Sequence, residues 1–169
     1  NDDSGGTKNS RVEISVTAGS SYYVRAGAYG ATTGAYRLSF TTAVPTDDVG
    51  NTFSTATTLT LSSTGGASRT GRIEQAGDVD MFRLVATVSG QMTITQSAAT
   101  SSTVDPLLAV YDGSQTLLAE NDDSNGSLNS QVTVTVTAGA TYYVKAAAYG
   151  TTTGAYVLQV STSTGSTPS

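Results

Sequence analysis

Residues 121–160 read NDDSNGSLNSQVTVTVTAGATYYVKAAAYGTTTGAYVLQV, and their apolar positions recur at every second residue in short runs. In the first run Val132, Val134 and Val136 alternate with threonines. Such alternation predicts β-strands with one buried face, and the Gly, Asn and Asp residues between the runs are typical of turns. We therefore predict strands at 132–136, 142–149 and 156–160.

The same segment occurs a second time at the beginning of the chain. Residues 1–40 read NDDSGGTKNSRVEISVTAGSSYYVRAGAYGATTGAYRLSF and align with residues 121–160 without a gap, at roughly six identical positions in ten. This similarity indicates an internal repeat. Strands are therefore also predicted at 12–16, 22–29 and 36–40.

The sequence between the two copies occurs once. Short alternating runs within it predict six further strands, at 58–61, 69–73, 79–86, 91–95, 107–111 and 116–119. About nine strands of 4 to 8 residues, separated by Gly, Asp, Asn and Ser turns, predict an all-β fold, an antiparallel jelly-roll-like β-sandwich in tandem repeat.

The copy number of each segment predicts the domain organisation. One repeat consists of a front half, residues 47–120, and a back half, residues 121–162, so the chain holds one front half and two back halves. A piece of about 40 residues buries too little apolar surface to fold alone. We predict that residues 1–44 are the C-terminal half of one repeat whose front half lies upstream or on another molecule. Residues 45–163 are predicted to be a complete repeat, and residues 164–169 a linker to a further one.

Composition excludes several classes of function. The chain has no Cys and no His, which removes thiol nucleophiles, thiolate metal sites and the commonest general base. Its net charge of -5 is unlike the basic surface that binds nucleic acid. No apolar run approaches the roughly 18 residues of a membrane span. Few charged residues and many Gly, Ser and Thr favour an extracellular or cell-surface protein.

Six motifs in order resemble the bacterial pre-peptidase C-terminal domain family. They are DDVGNTFSTAT (47–57), GRI (71–73) with GDVDMF (77–82), DPLL (105–108) with YD (111–112), NDD (121–123), AGATYYV (138–144) and TGAY (153–156). The resemblance implies a non-catalytic sandwich attached to a secreted peptidase or a large bacterial surface protein. Members of the family bind collagen, and several bind calcium.

Two groups of acidic and amide residues are candidate calcium ligands, because calcium takes six to eight oxygen ligands gathered by loops. The first group is Asp47, Asp48, Asn51, Asp78 and Asp80. The second, weaker group is Asp105, Asp112, Asn121, Asp122 and Asp123. Asp78 and Asp80 are two residues apart, so their carboxylates are expected on one face of a strand. The alternative is that these Asp and Asn residues serve only the turns.

Other chemistry finds little support in the sequence. Without His, a Ser or Thr nucleophile would need a lysine, yet Lys8 is replaced by Leu128 and Lys145 by Arg25 in the other copy. Paired carboxylates are present, but the sequence contains no visible insertion that could form the substrate pocket of a glycosidase. We therefore expect no catalytic residues and no enzymatic activity.

The tyrosines divide into two sets by strand phase. Four lie on the apolar phase and are expected in the core: Tyr22, Tyr36, Tyr142 and Tyr156. Four lie on the opposite phase and are either partly buried or an interface to a neighbouring domain: Tyr23, Tyr29, Tyr143 and Tyr149.

Two functions remain. The first is a non-catalytic extracellular structural module of a tandem-repeat bacterial surface protein, fibre or filament, with neighbouring copies of the repeat as its partners. The second is an accessory module that holds a secreted peptidase or other hydrolase on a protein or polysaccharide substrate. The linker sequences favour the first.

Overall fold

The computed structural model describes residues 3, 5–16, 19–42 and 46–164. The chain divides into two compact units, Asn1–Ala43 and Val44–Ser169. None of the described residues belongs to a helix with the length and hydropathy needed to cross a membrane.

The second unit contains nine strands, at positions close to those the sequence predicts. They are β1 (Thr57–Thr58), β2 (Ala67–Ile73), β3 (Val79–Val85), β4 (Gly90–Ala98), β5 (Pro106–Asp112), β6 (Leu117–Asn121), β7 (Ser130–Val136), β8 (Thr141–Ala148) and β9 (Gly154–Ser163). β1 is shorter than predicted, although Leu59 and Leu61 beyond it are buried.

These strands form two sheets that enclose one core. The first sheet has the order β1-β3-β8-β5-β6 and the second β2-β9-β4-β7. All ladders are antiparallel except that between β1 and β3, which is parallel. Along β7 buried and exposed residues alternate without exception, as expected of a strand with one face in a core. The all-β sandwich predicted from the sequence is confirmed for this unit.

Large apolar side chains from both sheets fill the core. The largest fully buried ones include Phe82 and Leu84 of β3, Met92 and Ile94 of β4, and Tyr156 of β9. The prediction that Tyr142 and Tyr156 lie in the core is confirmed, since both are buried.

The front and back halves of this unit interdigitate. In the sheets, β8 lies between β3 and β5, and β9 lies between β2 and β4. β7 pairs with β4. No two back-half strands are neighbours among the described residues, so every ladder of the back half is made with the front half.

The first unit differs from the prediction. No strand is assigned within 5–16 or 19–42, so the strands predicted at 12–16, 22–29 and 36–40 are wrong for this structure, as is the burial expected of Tyr22 and Tyr36. The physical reason lies in the pairing of the second copy. A back-half strand obtains its ladder hydrogen bonds from a front half, and a sequence pattern alone cannot supply them.

The predicted linkers fall largely on positions that the structure does not describe. Residues 43–45 and 165–169 lie outside the described residues. The assignment of 1–44 and 164–169 within a tandem array therefore stays a prediction.

Candidate metal centre

Four carboxylates converge at one end of the second unit. Asp47, Glu74, Asp78 and Asp80 each offer one oxygen, and these oxygens lie within 4.8 Å of one another. We call this set the acidic cluster. Asp47 precedes β1, Glu74 follows β2, and Asp78 and Asp80 lie at the start of β3. The cluster thus joins the first residues of the unit to the turn between β2 and β3.

Backbone geometry fixes this turn. The Asp78 amide donates to the Gln75 carbonyl at 3.1 Å, and Gly77 has a φ of 85°, a value that favours glycine. The Asp78 carboxylate accepts hydrogen bonds from the amides of Glu74 and Val79. The carboxylate of Asp78 is therefore held in place by the backbone of the turn.

The opening segment of the unit is held in a similar way. The Asp47 carboxylate accepts a hydrogen bond from the Val49 amide at 3.0 Å, and the Met81 amide donates to the Gly50 carbonyl at 3.0 Å. These bonds place Asp47 against the start of β3. Of the four carboxylates, only that of Asp47 belongs to an exposed residue.

Asp80 is fully buried. Its Oδ2 accepts a hydrogen bond from the Tyr156 hydroxyl, whereas its Oδ1 has no hydrogen-bond donor among the residues described. Glu74 Oε2 is likewise buried with no donor from the described part of the chain. A buried carboxylate oxygen without a donor is costly, because water no longer solvates it. Two such oxygens in one cluster make it a candidate site for a cation.

The electrostatics of the cluster favour the same interpretation. Burial, aided by the charges of Asp48, Asp78 and Glu74, raises the pKa of Asp80 to about 8, although the Tyr156 hydroxyl acts in the opposite direction. Burial, the hydrogen bond with Asp78 and the charges of Asp48 and Asp78 raise the pKa of Glu74 to about 7. The cluster therefore retains protons near neutral pH unless a cation replaces them.

The donor set fits calcium by its chemistry. It consists only of carboxylate oxygens, the ligands of hard divalent cations, and two of its residues, Glu74 and Asp80, each have a buried oxygen with no described hydrogen-bond partner. A bound ion would join residues from three separate stretches of the chain. It would also relieve the mutual repulsion of the carboxylates.

The structure brings together only part of the first predicted group. Asp47, Asp78 and Asp80 belong to the cluster. Asp48 acts on it through its charge, and Asn51 is exposed. Sequence reasoning missed Glu74. Its signal was its position directly after the predicted strand at 69–73 and four residues before Asp78.

The second predicted group is spread over more than one place. Asp112 caps the β5–β6 turn, where its Oδ1 accepts hydrogen bonds from the amides of Ser114 and Thr116. Asp105 precedes the other end of β5, and burial, together with the charges of Asp123 and Asp122, raises its pKa. Asp112 is therefore separated from the rest by the length of a strand.

Two members of the second group stabilise local backbone. Asn121 donates to the Asp123 carbonyl and accepts from the Gln131 amide, and the Asp122 carboxylate accepts from the Asp123 amide. These contacts are the turn chemistry that the alternative interpretation describes. Calcium at Asp105, Asp122 and Asp123 stays a prediction.

Outward-facing aromatic residues form a separate feature. The Phe53 ring makes edge contacts with Tyr111 and Tyr143, at centroid distances of 5.2 and 5.1 Å. Tyr111 and Tyr143 are a cross-strand pair of β5 and β8. Tyr143 is partly buried, while Tyr149 is exposed.

Comparison with known proteins gives structural matches only. No protein-family model matches the chain, and no curated protein matches its sequence. The chain is similar to the pre-peptidase C-terminal domain of collagenase from Bacillus anthracis, with 17% identity, a TM-score of 0.49, and coverage of 62% of this chain and 93% of that domain. That domain belongs to the family whose motifs the sequence resembles.

Two further solved structures are similar at comparable levels. One is Aeromonas hydrophila PliG, a periplasmic inhibitor of g-type lysozyme, with 17% identity, a TM-score of 0.46, and coverage of 64% of this chain and 97% of that chain. The other is the Yersinia pseudotuberculosis-derived mitogen, with 18% identity, a TM-score of 0.42, and coverage of 62% and 91% respectively.

Proposed function

We propose that the chain is a non-catalytic, extracellular structural module of a tandem-repeat bacterial surface protein, fibre or filament. The observation that carries this proposal is the placement of the two ends of the unit at residues 46–163. Its first residues and its last strand lead to opposite ends of the sandwich, as the strand register shows.

The register gives the separation of these ends. Asp47 lies in the acidic cluster with Glu74. Glu74 directly follows Ile73, which pairs with Gly154 at the beginning of β9. At the other end of β9, the Thr162 hydroxyl donates to the Gly65 carbonyl at 3.0 Å. Eight residue steps along a strand span about 26 Å at roughly 3.3 Å each. Units joined by short linkers would therefore extend end to end.

Calcium at the acidic cluster would strengthen such an array. The cluster attaches Asp47, the residue that follows the linker, to the turn between β2 and β3. A cation held there would fix the direction in which the chain enters the sandwich. A force applied to the linker would then be resisted by the bound ion and the β-ladders, because the entering segment could not move freely.

A scattering experiment on concatemers tests the proposal. Residues 46–163 would be expressed as one, two, four and eight copies joined by the native sequence at 43–45. The longest dimension should grow linearly, by about 30 Å or more per copy, since the strands set the length of a unit. A longest dimension that grows only with the cube root of copy number, as in a compact cluster, would contradict it.

The second candidate function is an accessory substrate-binding module, and one observation favours it. Phe53, Tyr111 and Tyr143 form an aromatic cluster on the side of the first sheet that faces away from the core. Clustered rings of this kind suit a protein or polysaccharide ligand. Binding of the chain to fibrillar collagen or to insoluble glycans, lost in Tyr143→Ala, would favour this function over the first.

A further inference from the structure

Residues 1–42 and residues 121–162 have similar sequences, but the described residues of the first copy have different environments from their counterparts. Val12 is 71% exposed where its counterpart Val132 is 3% exposed, and Leu38 is 48% exposed where Leu158 is fully buried. The remaining exposed apolar residues of the same pattern are Ile14, Val16, Val24, Tyr36 and Phe40. Their counterparts in the second unit are all in the core. The first copy thus presents, in the correct order, the side chains that fill a sandwich.

The topology identifies what would cover these side chains. β7, β8 and β9 have only front-half strands as ladder partners within the described residues. The pairs are set residue by residue, for example Val144 with both Phe82 and Val110. A segment with the same alternation requires partners of the same kind, because a one-residue slip would turn its apolar side chains away from the core.

The front half of this chain is not available to the first copy. Its slots for β7, β8 and β9 are filled by residues 130–163. The short connection between the two copies also prevents the first copy from replacing residues 130–163 in these sheets. If Thr42 took the place of its counterpart Thr162, it would lie beside Gly65. That position is about 26 Å along the sandwich from the acidic cluster, which includes Asp47. The five steps from residue 42 to residue 47 span at most about 18 Å.

We propose that residues 1–42 are a strand donor that completes a second β-sandwich with the front half of a further copy of the repeat. The partner is a polypeptide with the strand sequence of residues 57–120. It pairs on both sides of the strands at 22–28 and 34–42. This proposal deepens the proposed function, because it names the partner of one surface of the chain.

The test is an extended chain in which a copy of residues 46–120 is placed directly before Asn1. The natural junction between residues 120 and 121 is thereby reproduced in front of the first back half. We expect amide hydrogen exchange at 12–16, 22–29 and 36–40 to slow by at least about a hundredfold relative to the 169-residue chain, as in a stable sheet. Unchanged exchange in these three stretches would overturn the proposal.

Two matched substitutions distinguish residue-specific strand pairing of the first copy from non-specific hydrophobic collapse. Leu38→Asp places a charge where Leu158 is fully buried, whereas Ser39→Asp places it where Gln159 is exposed. In the extended chain Leu38→Asp should abolish the new protection and Ser39→Asp should keep it. In the 169-residue chain both should leave the melting temperature unchanged. Protection that survives Leu38→Asp would overturn the proposal.

Exchange at 130–163 serves as the internal control in every variant. Those amides should stay protected, which shows that the second unit is folded. The extended chain measures strand pairing alone. Its result is therefore independent of whether concatemers are extended, and the two proposals can fail separately.

Discussion

Asp80 has the most unfavourable surroundings of the four carboxylates, because it is fully buried and one of its oxygens lacks a donor among the described residues. Its partner Tyr156 is also buried, and burial together with the charge of Asp80 raises the pKa of that hydroxyl. The hydroxyl therefore stays protonated and donates its hydrogen bond at any pH at which the protein is studied. What changes with pH is the charge of the carboxylates.

The charge of these carboxylates determines how the stability of the metal-free protein depends on pH. The folded pKa is about 8 for Asp80 and about 7 for Glu74, above the ordinary values of 3.8 and 4.5. The folded state therefore binds more protons than the unfolded state in the interval between, so its stability falls as pH rises. Thermal melts in chelator should show a melting temperature that decreases from pH 5 to pH 8. A constant or rising melting temperature would contradict the assigned surroundings.

Calcium should reverse this trend. The ion competes with the protons of Asp80 and Glu74, so the stabilisation that calcium gives should increase with pH. Free calcium at a hundred times its dissociation constant would add about 2.7 kcal/mol to the free energy of unfolding. Melts at pH 7.5 with calcium and with chelator measure the effect. Identical melts would remove the calcium site from the account.

Asp80→Asn tests the same site by substitution. The amide keeps the shape of the carboxylate but removes its charge, so calcium should no longer raise the melting temperature. Asp112→Asn is the matched control, because Asp112 serves a turn through its Oδ1 and lies outside the cluster. It should retain the full response to calcium. Equal responses in the two variants would mean that calcium binds elsewhere.

At the scale of elements, the pairing of β2 with β9 makes room for Tyr156. Gly71 is directly opposite Tyr156, and a Cβ added to Gly71 would lie 2.3 Å from the tyrosine hydroxyl oxygen. No side chain other than hydrogen fits there without displacing the ring. The glycine therefore permits the hydrogen bond between Tyr156 and Asp80.

Gly71→Ala should lower the free energy of unfolding by roughly 1 to 3 kcal/mol, the range for overpacking in a core. Chemical denaturation of the variant measures this. Gly66→Ala is the control, since a Cβ at that position would meet atoms only at 3.5 Å or more. If both variants have the stability of the parent chain, the close approach of Gly71 and Tyr156 is wrong.

Several strands at 46–163 were predictable because they carry their own alternation, as in β7, where valines and threonines follow one another. Their order in the sheets was not predictable, since alternation specifies a buried face but not a neighbour. The same limit explains the first copy. Val12 and Val132 have the same local sequence pattern, and only the presence of a paired front half distinguishes them.

The acidic cluster was also predictable only in part. Asp78 and Asp80 share a face by strand periodicity, so their convergence followed from the sequence. Glu74 lies in a turn, where its position directly after the predicted strand at 69–73 was a signal but no strand periodicity placed its side chain. It joins the cluster because the β2–β3 turn folds back, which is a property of the tertiary structure.

At the scale of the whole molecule, one arrangement accounts for both units. In the second unit every back-half strand is paired with front-half strands, β8 and β9 on both sides and β7 with β4, whereas the equivalent segments of the first unit carry no ladder among the described residues. We therefore expect the unit to fold cooperatively across its two halves rather than within each. A tandem protein built this way gains stability only in whole units.

Amide hydrogen exchange on the 169-residue chain tests the claim that a back half needs a front half for its ladders. The claim predicts slow exchange in β7, β8 and β9 and exchange close to that of an unfolded peptide at the equivalent positions 12–16, 22–29 and 36–40. Comparable protection of the two copies in the same sample would contradict it, because it would mean that a back half forms its ladders without a front half.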